Sequence, residues 1–111
     1  MQNLEFTLVE AREVAEITAY MGRIIVSYAD LVAAFGPPQP CGDYKTAVEW
    51  WLRFSDGAVA SIYDYKKAVK YQFDGLAVED IDEWHIGGRS TAVVARILAI
   101  LGDKATLLPD G

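Results

Sequence analysis

The chain has 111 residues, of which 52% are hydrophobic, and its formal net charge at pH 7 is −6. This length fits one domain, residues 1–111, and the apolar content supplies one core without disulfide or metal staples. The negative charge disfavours direct binding to nucleic acid, because the phosphate backbone is bound through a positive surface.

Cysteine usage and hydropathy favour a cytoplasmic protein. The single cysteine, Cys41, excludes an intrachain disulfide framework, which fits a reducing compartment. The longest apolar run, 92–101, is interrupted by Arg96 and falls short of the roughly 20 residues that a membrane span needs. The first residues lack the basic start of a secretory signal. We therefore expect no contact with a membrane.

The N-terminal segment, 1–21, fits two descriptions. A capping box at 7–10 and apolar residues at near-helical spacing as far as Met21 favour a helix after residue 10, with Gly22 as its stop. Phe6 and Leu8 suit a strand equally well. We favour the helix after residue 10.

A short strand over 23–26 and a well-marked helix come next. Ser27 is the predicted N-cap, and Asp30 at the third helical position completes a capping box. Gly36 is expected to end this helix in the left-handed conformation. The proline-rich stretch 37–40 then predicts a stiff loop.

The clearest pattern in the chain is a hairpin. Strict alternation over 48–54 predicts a strand, and Asp56-Gly57 supplies the positive φ values that a tight turn needs. The return strand is expected over 58–65. The residues that alternate onto one face of the first strand are Val48, Trp50, Leu52 and Phe54.

The last third of the chain predicts one more strand and one more helix. A basic excursion over 66–75 leads to a strand at 83–86, and Gly87-Gly88 is expected to turn the chain. Ser90 then caps a helix over 91–101, which Gly102 ends.

These elements predict an α+β fold. An antiparallel sheet is built on the central hairpin, and two or three helices pack on it. We expect residues 22–101 to form the core of the domain and residues 102–111 to form a tail.

Candidate catalytic and metal-binding residues are scarce. The chain has one histidine, so a catalytic dyad or triad must use His85, and no sequence signature pairs it with Cys41. Zinc sites draw on several cysteines or histidines, and the acids over 80–83 lack the spacing of a calcium loop. We therefore expect no enzymatic activity, no metal and no cofactor.

The segment 85–90 has the chemistry of an anion-binding site. Gly87, Gly88, Arg89 and Ser90 directly precede the last helix, and His85 lies beside them. Free backbone N–H groups at a helix start attract anions, so a phosphate or carboxylate could dock there. A flexible turn that allows close packing between strand and helix is the competing interpretation.

Aromatic residues suggest an interaction surface. Trp50 and Trp51 are adjacent on a strand and must point to opposite faces, so Trp51 is either exposed or covered by a neighbouring element or a partner. Exposed aromatic residues mark interfaces. The predicted interface residues are Trp51, Tyr63 and Tyr65, together with the acidic residues Asp80 and Asp82.

The last helix, 91–101, is apolar nearly all round. Such a helix is either buried on several sides or packed against another subunit. It is therefore the predicted contact in a homo-oligomer.

Several strings of residues form a recognisable set. They are Gly22-Arg23-Ile24, Ser27 to Val32 with Phe35-Gly36 and Pro38, Tyr44-Lys45-Thr46 with Glu49-Trp50, DGxVASIYDYK over 56–66, and WHIGG over 84–88. On these strings the chain resembles a family of small, mostly uncharacterised proteins encoded by bacteriophages and large DNA viruses. The resemblance covers residues 22–101, and the last two strings are its most specific part.

The resemblance implies an accessory protein that works in the cytoplasm of a host cell. The leading hypothesis is a non-enzymatic protein that binds and inhibits or sequesters a host component, as an anti-defence factor of the anti-CRISPR kind. The partner is then a host protein or a small nucleotide signal. The alternative is a small-ligand or nucleotide-binding protein with its anion site at 87–90, and the third hypothesis is an acidic mimic of DNA.

Overall fold

In the part of the chain that the structure describes, seven strands form one antiparallel sheet, and two helices lie against one of its faces. The structure is a computed structural model that describes residues 5–9, 19–40, 48–64 and 77–109. The strands are β1 (Phe6–Leu8), β2 (Ala19–Ile25), β3 (Gln39–Pro40), β4 (Val48–Phe54), β5 (Val59–Tyr63), β6 (Glu83–Gly88) and β7 (Thr106–Leu108). The helices are α1 (Tyr28–Phe35) and α2 (Ala92–Leu101), with 3₁₀ turns at Val78–Asp80 and Gly102–Lys104.

The sheet order is β1-β4-β5-β6-β2-β7, and β3 pairs with β4 beside β1. Every strand pair is antiparallel. The hairpin of β4 and β5 is extended by β6 in register, with Ile62 opposite Ile86. This confirms the predicted α+β class and the hairpin at its centre.

One continuous core fills the space between the sheet and the helices. The indole N–H groups of two fully buried tryptophans donate to backbone carbonyls, Trp50 to Gly36 at 2.8 Å and Trp84 to Val26 at 3.0 Å. These bonds satisfy two N–H donors, which would cost free energy if they were buried without an acceptor. The core is completed by residues from every central strand and both helices: Ile24, Leu31, Phe35, Leu52, Phe54, Ala60, Ile62, Ile86, Val93 and Ile97.

The local signals of α1 and the hairpin are confirmed. Ser27 accepts a hydrogen bond from the backbone N–H of Asp30 at 3.1 Å, and Gly36 ends the helix with φ +82°. Gly57 turns the hairpin with φ +92°. The return strand, β5, ends at Tyr63, before its predicted end at residue 65.

The predicted turn at Gly87-Gly88 is wrong. Both glycines lie in β6 and pair with β5 on one side and β2 on the other. A Cβ at Gly88 would lie 2.6 Å from Val93 Cγ2 of α2, so the glycine is needed for close packing of helix on sheet. The chain turns after this strand, at residues 89–90.

Two terminal segments also differ from expectation. The strand alternative for Phe6 and Leu8 is confirmed by β1, whereas 19–22 is the start of β2 and Gly22 stops no helix. The expected tail contains β7, whose Leu107 pairs with Ile24. These short strands are fixed by pairing with distant residues, which local patterns do not report.

Some predictions fall outside the described residues. They concern the helix after residue 10 over 10–18, Cys41, Tyr65 and the basic excursion 66–75.

Candidate binding surface

The sheet face away from the helices carries a row of polar and aromatic side chains. Tyr63 of β5 is opposite His85 of β6, and His85 is opposite Arg23 of β2. Tyr20 of β2 lies on the same face of the sheet, opposite Gly87 of β6. We name the surface formed by Tyr20, Arg23, Tyr63 and His85 the tyrosine–histidine face.

His85 is packed between two tyrosine rings. Its ring centroid is 5.1 Å from that of Tyr20 and 5.5 Å from that of Tyr63, with both pairs tilted or edge-on. These are the distances and angles at which aromatic rings attract one another. Tyr20 is 42% exposed, while Tyr63 and His85 are half-buried, so the cluster has an accessible outer side.

Arg23 is held at one end of the row. Its guanidinium donates to Glu83 Oε2 at 3.0 Å and to the carbonyl of Pro109 at 3.3 Å. The hydrogen bond to Glu83 raises the pKa of Arg23 above its usual value, and a hydrogen bond to Tyr20 adds to the effect. The charge of Arg23 is therefore largely neutralised by Glu83.

Gly87 forms the floor of the tyrosine–histidine face. A Cβ there would lie 2.6 Å from Ser61 Oγ and 3.5 Å from Tyr63 Cε1. The missing side chain thus lets Ser61 and Tyr63 pack over the backbone of β6. Ser61 is 2% exposed as a result.

Trp51 extends this face on β4 and is covered. It is 7% exposed and packs with Val59 and Val9. Its indole Nε1 is buried and donates no hydrogen bond to the residues that the structure describes. The prediction of Trp51 as an exposed interface residue is therefore wrong, and the alternative of a covering element is the correct one.

The predicted anion-site residues are divided between two faces. His85 and Gly87 belong to the tyrosine–histidine face, whereas Gly88 lies beneath α2. Ser90 accepts a hydrogen bond from the N–H of Ala92 at 3.1 Å, but the N-cap of α2 is Thr91, one residue after the predicted cap, and Arg89 is exposed. The two glycines use their backbones in the sheet, so they form no loop of free N–H groups.

The predicted interface residues also lie in different parts of the structure. Tyr63 lies on the tyrosine–histidine face, and Asp80 and Asp82 are exposed at the chain segment that precedes β6. Tyr65 falls outside the described residues. Sequence analysis missed Tyr20 and Arg23, because their position depends on the pairing of β2 with β6.

Acidic residues are partly neutralised by basic ones. Ion pairs join Arg23 to Glu83, Arg96 to Asp56, and Lys104 to Asp30 at 3.7 Å. Within the described ranges, no group of three or more histidine, cysteine, aspartate or glutamate side chains is arranged to hold a metal ion. Three neutralised carboxylates weaken the case for a mimic of DNA, which needs an uninterrupted field of negative charge.

The outer side of α2 adjoins an apolar groove. Val93, Val94, Ile97 and Leu101 face the core, and the exposed positions include Ala95. A groove of about 390 Å³ runs between α2 and β7, where Leu107 is 50% exposed. Contact between two copies through this helix stays a prediction.

No helix in the part of the chain that the structure describes is long and apolar enough to cross a bilayer.

Comparison of the chain with protein-family models, with curated proteins and with solved structures gives no match. The resemblance to phage and viral proteins therefore rests on the strings quoted above.

Proposed function

We propose that the chain is a non-enzymatic binding protein that contacts its target through the tyrosine–histidine face. The observation that carries the proposal is the packing of the only histidine between Tyr20 and Tyr63, on the sheet face away from both helices. Accessible aromatic side chains supply large contact areas at a low cost in conformational entropy, which suits a recognition surface.

The neighbours of His85 support binding rather than catalysis. A serine hydrolase needs an accessible serine, an adjacent histidine and a carboxylate that orients the imidazole. Ser61, on the same face, is buried over Gly87, and the buried Asp64 accepts a hydrogen bond from the N–H of Val48 at 3.1 Å. These side chains serve the packing of the sheet.

The class of target comes from the resemblance to phage and viral proteins. Small accessory proteins of such genomes act on components of the host cell. We therefore propose that the target is a host protein, in particular a component of a defence system, which the chain inhibits or sequesters.

Affinity capture with matched baits tests the proposal. The baits are the wild-type chain, the double variant Tyr20→Leu/Tyr63→Leu, and Leu107→Gln as a control on the exposed edge strand. We expect the wild-type chain and the Leu107→Gln control to capture the same host proteins. We expect the double variant to capture none of them. Equal capture by all three folded baits would contradict a role for this face.

A small planar ligand is the second candidate target. The observation that favours it is the meeting of three rings on one face of the sheet, since aromatic rings stack on planar groups. Thermal-shift assays with nucleotides and cyclic dinucleotides test it. A shift that Tyr20→Leu removes and Arg89→Ala leaves intact supports this candidate, and no shift with any nucleotide excludes it.

A further inference from the structure

The row of paired residues on the tyrosine–histidine face continues onto β4. Glu49 is directly opposite Tyr63, which is opposite His85, which is opposite Arg23. Neighbouring strands lie about 4.8 Å apart, so the four residues span roughly 15 Å across the sheet. Directly opposite side chains on one face are within contact distance of each other.

The two ends of this row differ in their charge balance. Arg23 is paired with Glu83, whereas Glu49 makes no ion pair with the residues that the structure describes. Glu49 is half-buried beside the ring of Tyr63. The Tyr63 end of the row therefore carries a carboxylate that no described residue neutralises, next to an aromatic ring.

Further acidic residues lie in the segment that leads into β6. Asp82 directly precedes β6, whereas Glu79 and Asp80 belong to the 3₁₀ turn that packs against α1, and none of the three forms an ion pair within the described ranges. The carbonyl of Asp82 accepts a hydrogen bond from the N–H of Val26 at 2.8 Å, which fixes this segment beside the end of β2. These acids lie beside α1 and the end of β2, so the negative charge next to Tyr63 is that of Glu49.

An arginine side chain has the chemistry that fits this place. A guanidinium stacks on the face of a tyrosine ring and donates two parallel hydrogen bonds to a carboxylate. A lysine ammonium is more strongly hydrated and lacks the planar fork, so it gains less from the same pair. A nucleic acid is repelled by the same charges.

Resting on the proposed binding function, we infer that the tyrosine–histidine face recognises an arginine-bearing segment of its protein partner. The guanidinium lies over Tyr63 and against Glu49. Charge complementarity between Glu49 and the arginine supplies the orientation, and Tyr20 and His85 supply adjoining contact area.

The test is a titration with short synthetic peptides, followed by NMR on the ¹⁵N-labelled full chain. One peptide has arginine at two alternate positions in an alanine background, and matched peptides have lysine or glutamine there. The indole N–H of Trp51 is a suitable reporter, because those of Trp50 and Trp84 are hydrogen-bonded on the helix side. Glu49 lies two residues before Trp51 on the same face.

We expect the arginine peptide to shift the Trp51 signal and to bind more tightly than the lysine peptide, with no binding of the glutamine peptide. Glu49→Gln should raise the Kd of the arginine peptide roughly tenfold, the scale of one lost charge-assisted contact. The matched control Glu79→Gln removes the same charge away from Tyr63 and should change the Kd less than about twofold.

An equal increase in the Kd on Glu49→Gln and on Glu79→Gln would overturn the inference. It would show that the peptide is attracted by the overall negative charge and not by a contact with Glu49. Equal binding of the glutamine peptide would overturn it as well. Either result leaves the proposed function intact if Tyr20→Leu/Tyr63→Leu still loses its captured partner. Retention of that partner contradicts the function itself.

Discussion

Gly87 and Gly88 are neighbours in β6 that make room on opposite faces of the sheet. Ser61 and Tyr63 occupy the space above Gly87, and Val93 of α2 occupies the space above Gly88. One glycine thus shapes the tyrosine–histidine face, and the other lets α2 approach the core. From the sequence alone a pair of glycines equally predicts a turn, because both roles need a residue without a side chain.

At residue scale, Gly88→Ala is expected to destabilise the protein by about 1–3 kcal/mol, the usual cost of overpacking. The new Cβ would lie 2.6 Å from Cγ2 of the buried Val93 and 3.3 Å from the carbonyl oxygen of Val59. Val93 has little freedom to turn away, because a β-branched side chain in a helix strongly prefers one rotamer. Urea unfolding measures the difference.

The matched control is Gly22→Ala, which adds the same methyl group under the same helix. Its nearest neighbour is Val94 Cγ2 at 3.6 Å, an ordinary van der Waals contact. We expect this variant to keep the stability of the wild type within about 1 kcal/mol. Equal destabilisation by both substitutions would contradict the assignment of Gly88 as a close-packing position.

At the scale of elements, the tip of the hairpin is tied to α2 by one ion pair. Arg96 donates two hydrogen bonds to the carboxylate of Asp56, one of them at 2.8 Å. The guanidinium also lies 5.0 Å from the centre of the Phe54 ring. The turn between β4 and β5 is therefore fixed to a helix that is distant in sequence.

This ion pair predicts a pH dependence of stability. The hydrogen bonds from Arg96, followed by that from the N–H of Ala58, hold the pKa of Asp56 well below its usual range. A carboxyl group whose pKa is lowered by folding stabilises the protein above its unfolded-state pKa, near 3.9, and this contribution is lost as the pH falls towards the folded-state value.

Asp56→Asn should lower the urea midpoint at about pH 7, and the difference from the wild type should shrink as the pH falls below about 4. Asp103→Asn is the control, because Asp103 makes no ion pair with the residues that the structure describes. A difference between Asp56→Asn and the wild type that stays constant across this pH range would show that the charge of Asp56 contributes nothing.

The elements that sequence analysis found are those with local signals. The hairpin was predictable because the alternation over 48–54 and the turn at Asp56-Gly57 are both local, and α1 because Ser27 and Gly36 cap it. In contrast, β1, the start of β2 and β7 are short, and each is held by a strand that is distant in the chain. Periodicity within three residues carries too little information to identify them.

The candidate site was predictable only in part for the same reason. His85 and Tyr63 were singled out from the sequence, and the hairpin register brings Tyr63 onto the face that β6 then extends with His85. Tyr20 and Arg23 join them through the pairing of β2 with β6, which includes an irregularity between Tyr20 and Gly22. No local pattern predicts that register.

At the scale of the whole molecule, the two faces of the sheet differ in how far their side chains are buried. One face, with Trp50 and Trp84, is sealed by the two helices and provides the stability of the fold. The other face carries Tyr20, Tyr63 and His85, with an accessible outer side.

Chemical modification of the only histidine tests whether a bound partner covers the tyrosine–histidine face. Diethyl pyrocarbonate acylates accessible imidazoles, and peptide mass spectrometry follows the modification of His85, the one histidine of the chain, separately from other acylated residues and from the partner. We predict that a captured partner slows the acylation of His85 several-fold in the wild-type complex. An unchanged rate of acylation while the partner remains bound would contradict recognition through the tyrosine–histidine face.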